Sequence, residues 1–358
     1  MTMVRQILEL YGRDTLPPTG FGLLVAGFDP GRAPFNVNVA LARLASRFPE
    51  AAESHPILPR LQGLNRKLLV QDALQWSRAV PFLTHFQEAG IRVYLNGGAG
   101  LWLGALRDQP RKMNGVDIWV EGKNFQTARH ILGGRTVRKK KETVLTLQDA
   151  LFRIPTLPEG TPEGFLPFRD PSGVEVFLPG TELQFLLLCA NYLNGITGDS
   201  FQDSCLQWMM DAIDIVRSQA GFDWQRLISL AAGYGELGCL MEALSLLRGL
   251  CPSRFKTVFP GGYALNPAEK VWAQRRERFL SLDRKCREKE YRGKPFPFFH
   301  RLSYRLRSNH YDLARYYPDA SDAAVLFRAP RYYWKKYVLN GFFLFVKKTP
   351  GKGGTGAE

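Results

Sequence analysis

The sequence predicts an α+β protein: a mixed sheet with flanking helices, N-terminal helices before it and an all-helical domain after it. Three observations predict this. Short apolar runs suited to strands, "IRVYLN", "VDIWVE" and "GVEVFLPG", are confined to one region that also holds helical segments. A long stretch with three-to-four spacing precedes them, with Leu69, Ala73, Trp76, Val80, Leu83 and Phe86 on one face. From Thr181 the character changes to amphipathic helical windows separated by Gly or Asp-Trp starts. The divisions that follow are 1–62 (helices and loops), 63–180 (the α/β domain), 181–255 (helical) and 256–358 (basic, aromatic-rich and helical).

Residues 1 to about 60 hold an apolar helix start, Pro/Gly-rich turns ("TLPPTGFG", "FDPGRAP") and a helical pattern around "VALARLASRF". The long helix from Asn65 stops at Gly90, and Pro81 inside it is expected to kink it. In "IRVYLNGGAGLWLGAL", Ile91, Val93 and Leu95 alternate with Arg92 and Tyr94, so a strand runs into a glycine turn and a helix. "VDIWVE" is a second strand, "NFQTARHILGG" a helix closed by glycines, and "TVLTLQ" and "LFRIP" are further strands. A Pro/Gly-rich excursion separates these from "GVEVFLPG", which carries Glu175 in its middle.

At 45% hydrophobic and 23% charged, the 358-residue composition is that of a globular protein. No stretch reaches the roughly 18 uncharged apolar residues of a membrane span, and the N-terminus has no signal-peptide core, so the expected location is cytoplasmic. The five cysteines and five histidines are scattered without metal-ligand spacing, which argues against structural zinc. A net charge of +15 favours polyanionic partners. It is concentrated in "RTVRKKKE" and beyond Cys251. The aromatic and lysine-rich stretch from Arg328 to Lys348 fits either a helix packing its aromatic face or an anionic membrane surface. No specific nucleic-acid partner is predicted.

One constellation carries chemistry. A strand ending at Gly97 and Gly98, followed about twenty residues later by a strand carrying Asp117, lets backbone approach a phosphate while a carboxylate holds bridging Mg²⁺. These residues resemble the uncharacterised nucleotidyltransferase family of the DNA polymerase beta-like superfamily, over roughly Leu64 to Leu250. "LNGGAG" stands at that family's Lys-Gly-Ala, and "RKMNGVDIWV" matches its arginine-to-acid spacing. "VEVF" matches its later acidic strand, and "WMMDAIDI" its helical-domain signature at Trp208 and Asp211. The resemblance implies a nucleotidyltransferase-like sheet and Mg²⁺-dependent transfer of a nucleoside monophosphate from a nucleoside triphosphate to a hydroxyl. The acceptor, a small molecule or a protein, is unknown. It assigns Asp117 and Glu175 as catalytic and metal-binding residues, and Gly97, Gly98, Arg111 and Arg135 to the nucleotide.

The departures fall on the chemistry. Gly115 stands where the first of two paired aspartates belongs, Asn96 at the lysine, Phe177 at a histidine and Asn191 at another histidine. Transfer is therefore expected to be weak or lost, and restoring Asp at 115 is expected to raise metal affinity. The alternative is a catalytically inactive binding or scaffold protein on the same fold. Bland roles stay open: Asp117 in an ion pair with Arg111 or Arg135, Glu175 as an exposed strand acid, and Glu121 as a strand end or a substitute ligand.

Overall fold

The structure is a computed structural model. It describes residues 3–250, except 27, 30–34, 54, 108, 110, 112, 114, 135, 140–141, 149–161, 196–200, 219–220 and 235, and also Phe255. Residues 1–263 form one compact unit and 264–358 a second, which lies outside the described residues. The "LFRIP" strand and the Arg328–Lys348 stretch fall outside them too.

The first unit opens with α1 (Met3–Tyr11), α2 (Pro18–Val25), α3 (Phe35–Arg47) and α4 (Pro49–Ala52), and then α5 (Leu58–Glu88). α5 is 31 residues long and runs through Pro81, spanning position 62. The mixed region follows: β1 (Val93–Asn96), α6 (Gly97–Leu103), β2 (Val116–Val120), α7 (Phe125–Ile131), β3 (Thr136–Lys139), β4 (Glu142–Leu147), β5 (Phe165–Arg169) and β6 (Glu175–Pro179). The helices α8 (Thr181–Gly195), α9 (Phe201–Ser218), α10 (Trp224–Gly233) and α11 (Leu237–Leu250) complete the described part.

The six strands form one mixed sheet in the order β3-β4-β2-β1-β6-β5. β1 is antiparallel to β2 and parallel to β6, while β2 is parallel to β4. Strand side chains alternate between faces. One face therefore presents Val93, Leu95, Val116, Ile118, Val120, Leu145, Leu147, Val176 and Leu178. Trp76, Ala79, Leu83 and Phe86 of α5 close over this face in one buried cluster. Each fully buried large apolar side chain there contributes about 1.5–3 kcal/mol. The opposite face presents Tyr94, Asn96, Asp117, Trp119 and Phe177, with the rings of Tyr94 and Phe177 stacked 5.0 Å apart.

β3 and β5 are both absent from the strands read in the sequence; the residues of β5 fell in a Pro/Gly-rich excursion. β5 is an edge strand, and proline is tolerated at an edge because one row of ladder hydrogen bonds is not used there. The turn after β5 is tied to α5. Asp170 accepts hydrogen bonds from Trp76 Nε1 (3.0 Å), Ser172 Oγ and Val174 N (2.9 Å).

The helical segment packs against the rest of the unit: α3 and α1 meet α9, and α6 meets α8. Trp208 is buried and Trp224 partly so. Asp223 caps α10 by accepting from Arg226 N at 2.9 Å, the role its Asp-Trp start suggests.

Candidate functional site

β1 ends where the chain must turn sharply. Asn96 caps α6 by accepting from Gly97 N at 2.5 Å, and Gly97 takes φ +56°, a left-handed conformation that favours glycine. Across the antiparallel ladder, Asp117 is the direct partner of Asn96. The carboxylate therefore faces the turn, and a Cβ on Gly97 would stand 3.3 Å from Asp117 Oδ2. The sequence expectation that Asp117 and the glycine turn lie together holds in this geometry.

Among the described residues, the polar groups beside Asp117 are neutral. On β4 its register partner is Thr146, and Gln148, just beyond the strand, donates from Nε2 to Asp117 Oδ1 at 3.1 Å. Burial pushes the Asp117 carboxyl above the ordinary carboxylate range, and the Gln148 bond offsets part of that shift. Both Thr146 and Gln148 were missed by sequence reasoning. "TVLTLQ" reads as a strand, but nothing local says that it lies beside β2.

Glu175 is not brought to Asp117. β1 stands between β2 and β6, so the two acidic strands are not neighbours. Phe177 aligns with Tyr94, which puts Glu175 two residues further toward the start of β1, level with Arg92. The Asn96–Asp117 pair lies about four residues away along the strands, roughly 13 Å. The Glu175 side chain is 63% exposed and pairs with Arg169 Nε at 3.8 Å. Glu121 is likewise committed at the far end of β2, to Arg92 (3.6 Å) and Lys123 (3.3 Å). It is not a substitute ligand.

Arg111 does reach the glycine turn, but its guanidinium is engaged. Nη1 donates to Gly98 O at 3.3 Å, and Nη2 pairs with Asp211 Oδ2 at 3.1 Å. The loop that presents it is held from behind by Asp72, which accepts from Met113 N at 2.9 Å. Asp117 is thus not its ion-pair partner. Arg135 lies outside the described residues, as does the side chain of Asn191.

Gly115 precedes β2 and is not part of the strand. Its φ is +127°, and a Cβ there would lie 3.0 Å from both Thr143 O and Thr143 Cγ2. The backbone at position 115 is therefore built around glycine. A side chain would be strained and would press on a neighbouring carbonyl.

Two ions bridging attacking and leaving oxygens need several converging hard ligands. Asp117, with neutral oxygens from Asn96, Thr146 and Gln148 near it, does not fit that two-ion centre. Among the described residues no group of three or more His, Cys, Asp or Glu side chains is placed to hold a metal. No protein-family model matches the chain, and neither a curated protein nor a solved structure matches it.

Proposed function

We propose that this chain is a catalytically inactive, nucleotidyltransferase-like protein that acts by binding, with metal-dependent transfer lost. The order long helix, strand, glycine turn, strand with a carboxylate supports the kinship, as does Arg111 against the turn. The observation that carries the loss is the setting of Asp117. Its register partners are Asn96 and Thr146, Glu175 is displaced along the sheet, and Gly115 occupies a conformation suited to glycine. Arg111 is spent on Asp211 and a backbone carbonyl, so less of its charge is left for a phosphate. Any nucleoside triphosphate held at the turn is therefore bound weakly and not turned over.

The test is transfer of radiolabel from α-labelled nucleoside triphosphates, with Mg²⁺ or Mn²⁺, to the protein itself and to hydroxyl-bearing small molecules. The expected result is no transfer above that of an Asp117→Ala variant. Robust Mg²⁺-dependent transfer that disappears in Asp117→Ala would overturn the reading and restore the enzyme assignment.

A further inference from the structure

The outward side of α5 is unlike a helix face kept only for solvent. Gly63, Lys67, Val70, Leu74, Ser77 and Pro81 follow one another at alternating intervals of four and three residues, and all six are exposed. That spacing sets them in one line along the helix, the seam pattern by which one helix packs on another. The line runs down the side of α5 away from Trp76, Leu83 and Phe86, which cover the sheet. The Asp117 corner lies on the other face of that sheet, so the two surfaces are separate.

Three features of this face go together. Two aliphatic side chains stand at its centre, Val70 at 59% and Leu74 at 49% exposed, and leave apolar surface in water. The charge around them has one sign. Arg60, Arg66 and Lys67 are exposed and make no ion pair among the described residues. Between Leu58 and Gln87 the sole acid is Asp72, which is buried. A solvated helix face gains from acid–base pairs three or four residues apart, and α5 has none on this side. The third feature is Gly63, placed in a helix interior where glycine is disfavoured relative to alanine. A Cβ there would meet nothing within 4 Å. Packing within the described residues therefore does not call for glycine, whereas a bare backbone lets a second chain come close.

We propose that this face of α5 docks an acidic amphipathic helix of a partner protein. The partner lays its apolar stripe on Val70 and Leu74, crosses closely at Gly63, and sets its carboxylates against Arg60, Arg66 and Lys67. A second copy of this chain does not fit, because an isologous contact would bring these cations to α5 of the other copy, which offers no exposed acid in return. Bilayers are entered by Trp, Phe and Leu side chains in number, and no Trp, Phe or Tyr is exposed on α5. Nucleic acid would use the cations but leave the aliphatic centre without a role. The proposal does not depend on the reading of the Asp117 corner.

The probe is a fluorescein-labelled model helix of about three heptads, with Leu along its seam and Glu flanking it. Fluorescence anisotropy follows its titration with the full chain at low ionic strength. Saturable binding in the micromolar range is expected, weakened about tenfold or more when the glutamates of the probe are replaced by Gln. Leu74→Gln removes half of the aliphatic centre, Gly63→Gln puts a side chain where the backbones meet, and Arg66→Glu reverses one flank. Each should weaken binding about fivefold or more. Gly63→Gln should at the same time raise the melting temperature, since a better helix former enters open space, so weaker docking is told apart from poorer folding. Arg226→Glu, at an exposed position on α10, changes net charge by the same amount as Arg66→Glu and should leave binding unchanged. The proposal is overturned by no saturable binding at millimolar concentration, by binding indifferent to Leu74→Gln and Gly63→Gln, or by equal weakening in Arg226→Glu, which would mean attraction to net charge alone. A short DNA duplex or a phosphatidylserine vesicle bound more tightly than the probe, with the same dependence on Gly63 and Leu74, would overturn it in favour of that polyanion. Absence of transfer at Asp117 bears on none of these outcomes.

Discussion

At Gly115 a single backbone angle decides what the position can become. With φ at +127° and Thr143 O 3.0 Å from where a Cβ would lie, an aspartate there must strain the backbone or push the start of β2 off β4. Holding a residue in such a conformation costs of order 1–3 kcal/mol. Gly115→Asp is therefore expected to lower the melting temperature and to give no gain in Mg²⁺ affinity by calorimetry, contrary to what the sequence pattern alone suggests. A stable variant with tightened Mg²⁺ binding would refute this. Asp72 sets a second residue-scale expectation. It is 1% exposed, and burial raises its carboxyl from the ordinary 3.8 to about 6, against lowering by the Met113 N–H and the Arg111 charge. Because the folded state holds the proton more tightly than the unfolded chain, this contribution is full below about pH 4 and is lost as pH rises to about 6. It amounts to about 3 kcal/mol. Asp72→Asn keeps an acceptor for Met113 N and removes the titration. Its urea midpoint, followed from pH 4 to 6, should lose the decline attributable to this group.

Among the elements, α5 was the most legible and β5 the least. The three-to-four spacing of Trp76, Leu83 and Phe86 identifies the buried face of α5 because helix period and core contact are both local properties of the sequence. β1, β2 and β6 announce themselves by their apolar residues. Their order in the sheet does not, and the candidate site depended on that order. Placing Glu175 beside Asp117 required β6 to adjoin β2 in the right register, whereas β1 intervenes. Gln148 reached Asp117 through the β2–β4 pairing, which no nearby residue encodes. The turn between β5 and β6 shows how such order is secured. Asp170 binds α5 through Trp76 Nε1 and braces the turn through Ser172 and Val174. Burial alone would raise its carboxyl, but these donors more than offset that and hold it below the usual value. Asp170→Ala leaves the buried indole N–H and a backbone N–H without their acceptor, a loss of about 2–4 kcal/mol. A red shift of tryptophan emission should accompany the lower urea midpoint, and an unchanged midpoint would contradict the brace.

Across the whole unit, N-terminal helices, sheet region and helical segment meet at one buried charge cluster. Arg43, 1% exposed on α3, pairs with Asp211 Oδ1 (2.5 Å) and Asp214 Oδ2 (2.6 Å) of α9. Asp211 also holds Arg111, which reaches back to the glycine turn, and Asp214 holds Tyr11 of α1 and Arg47. Asp211 therefore links segments far apart in sequence, with Arg43 168 residues and Arg111 100 residues away from it. Three guanidinium groups sharing two carboxylates make the cluster intolerant of losing either acid, because breaking a buried pair leaves uncompensated charge. Asp211→Ala takes its acid from Arg111 and leaves Arg43 with Asp214 alone, and is expected to destabilise the unit by about 3–5 kcal/mol. Glu175→Gln, at an ion pair with both side chains mostly exposed, should change stability by less than about 1 kcal/mol. Hydrogen exchange separates a local from a global effect. In Asp211→Ala the amides of α3 and α9 should lose protection together with those of the glycine turn, since this one carboxylate binds both Arg43 and Arg111. Faster exchange confined to α9 would mean that the cluster does not couple the segments, and the Arg111 contact at the turn would then owe nothing to Asp211.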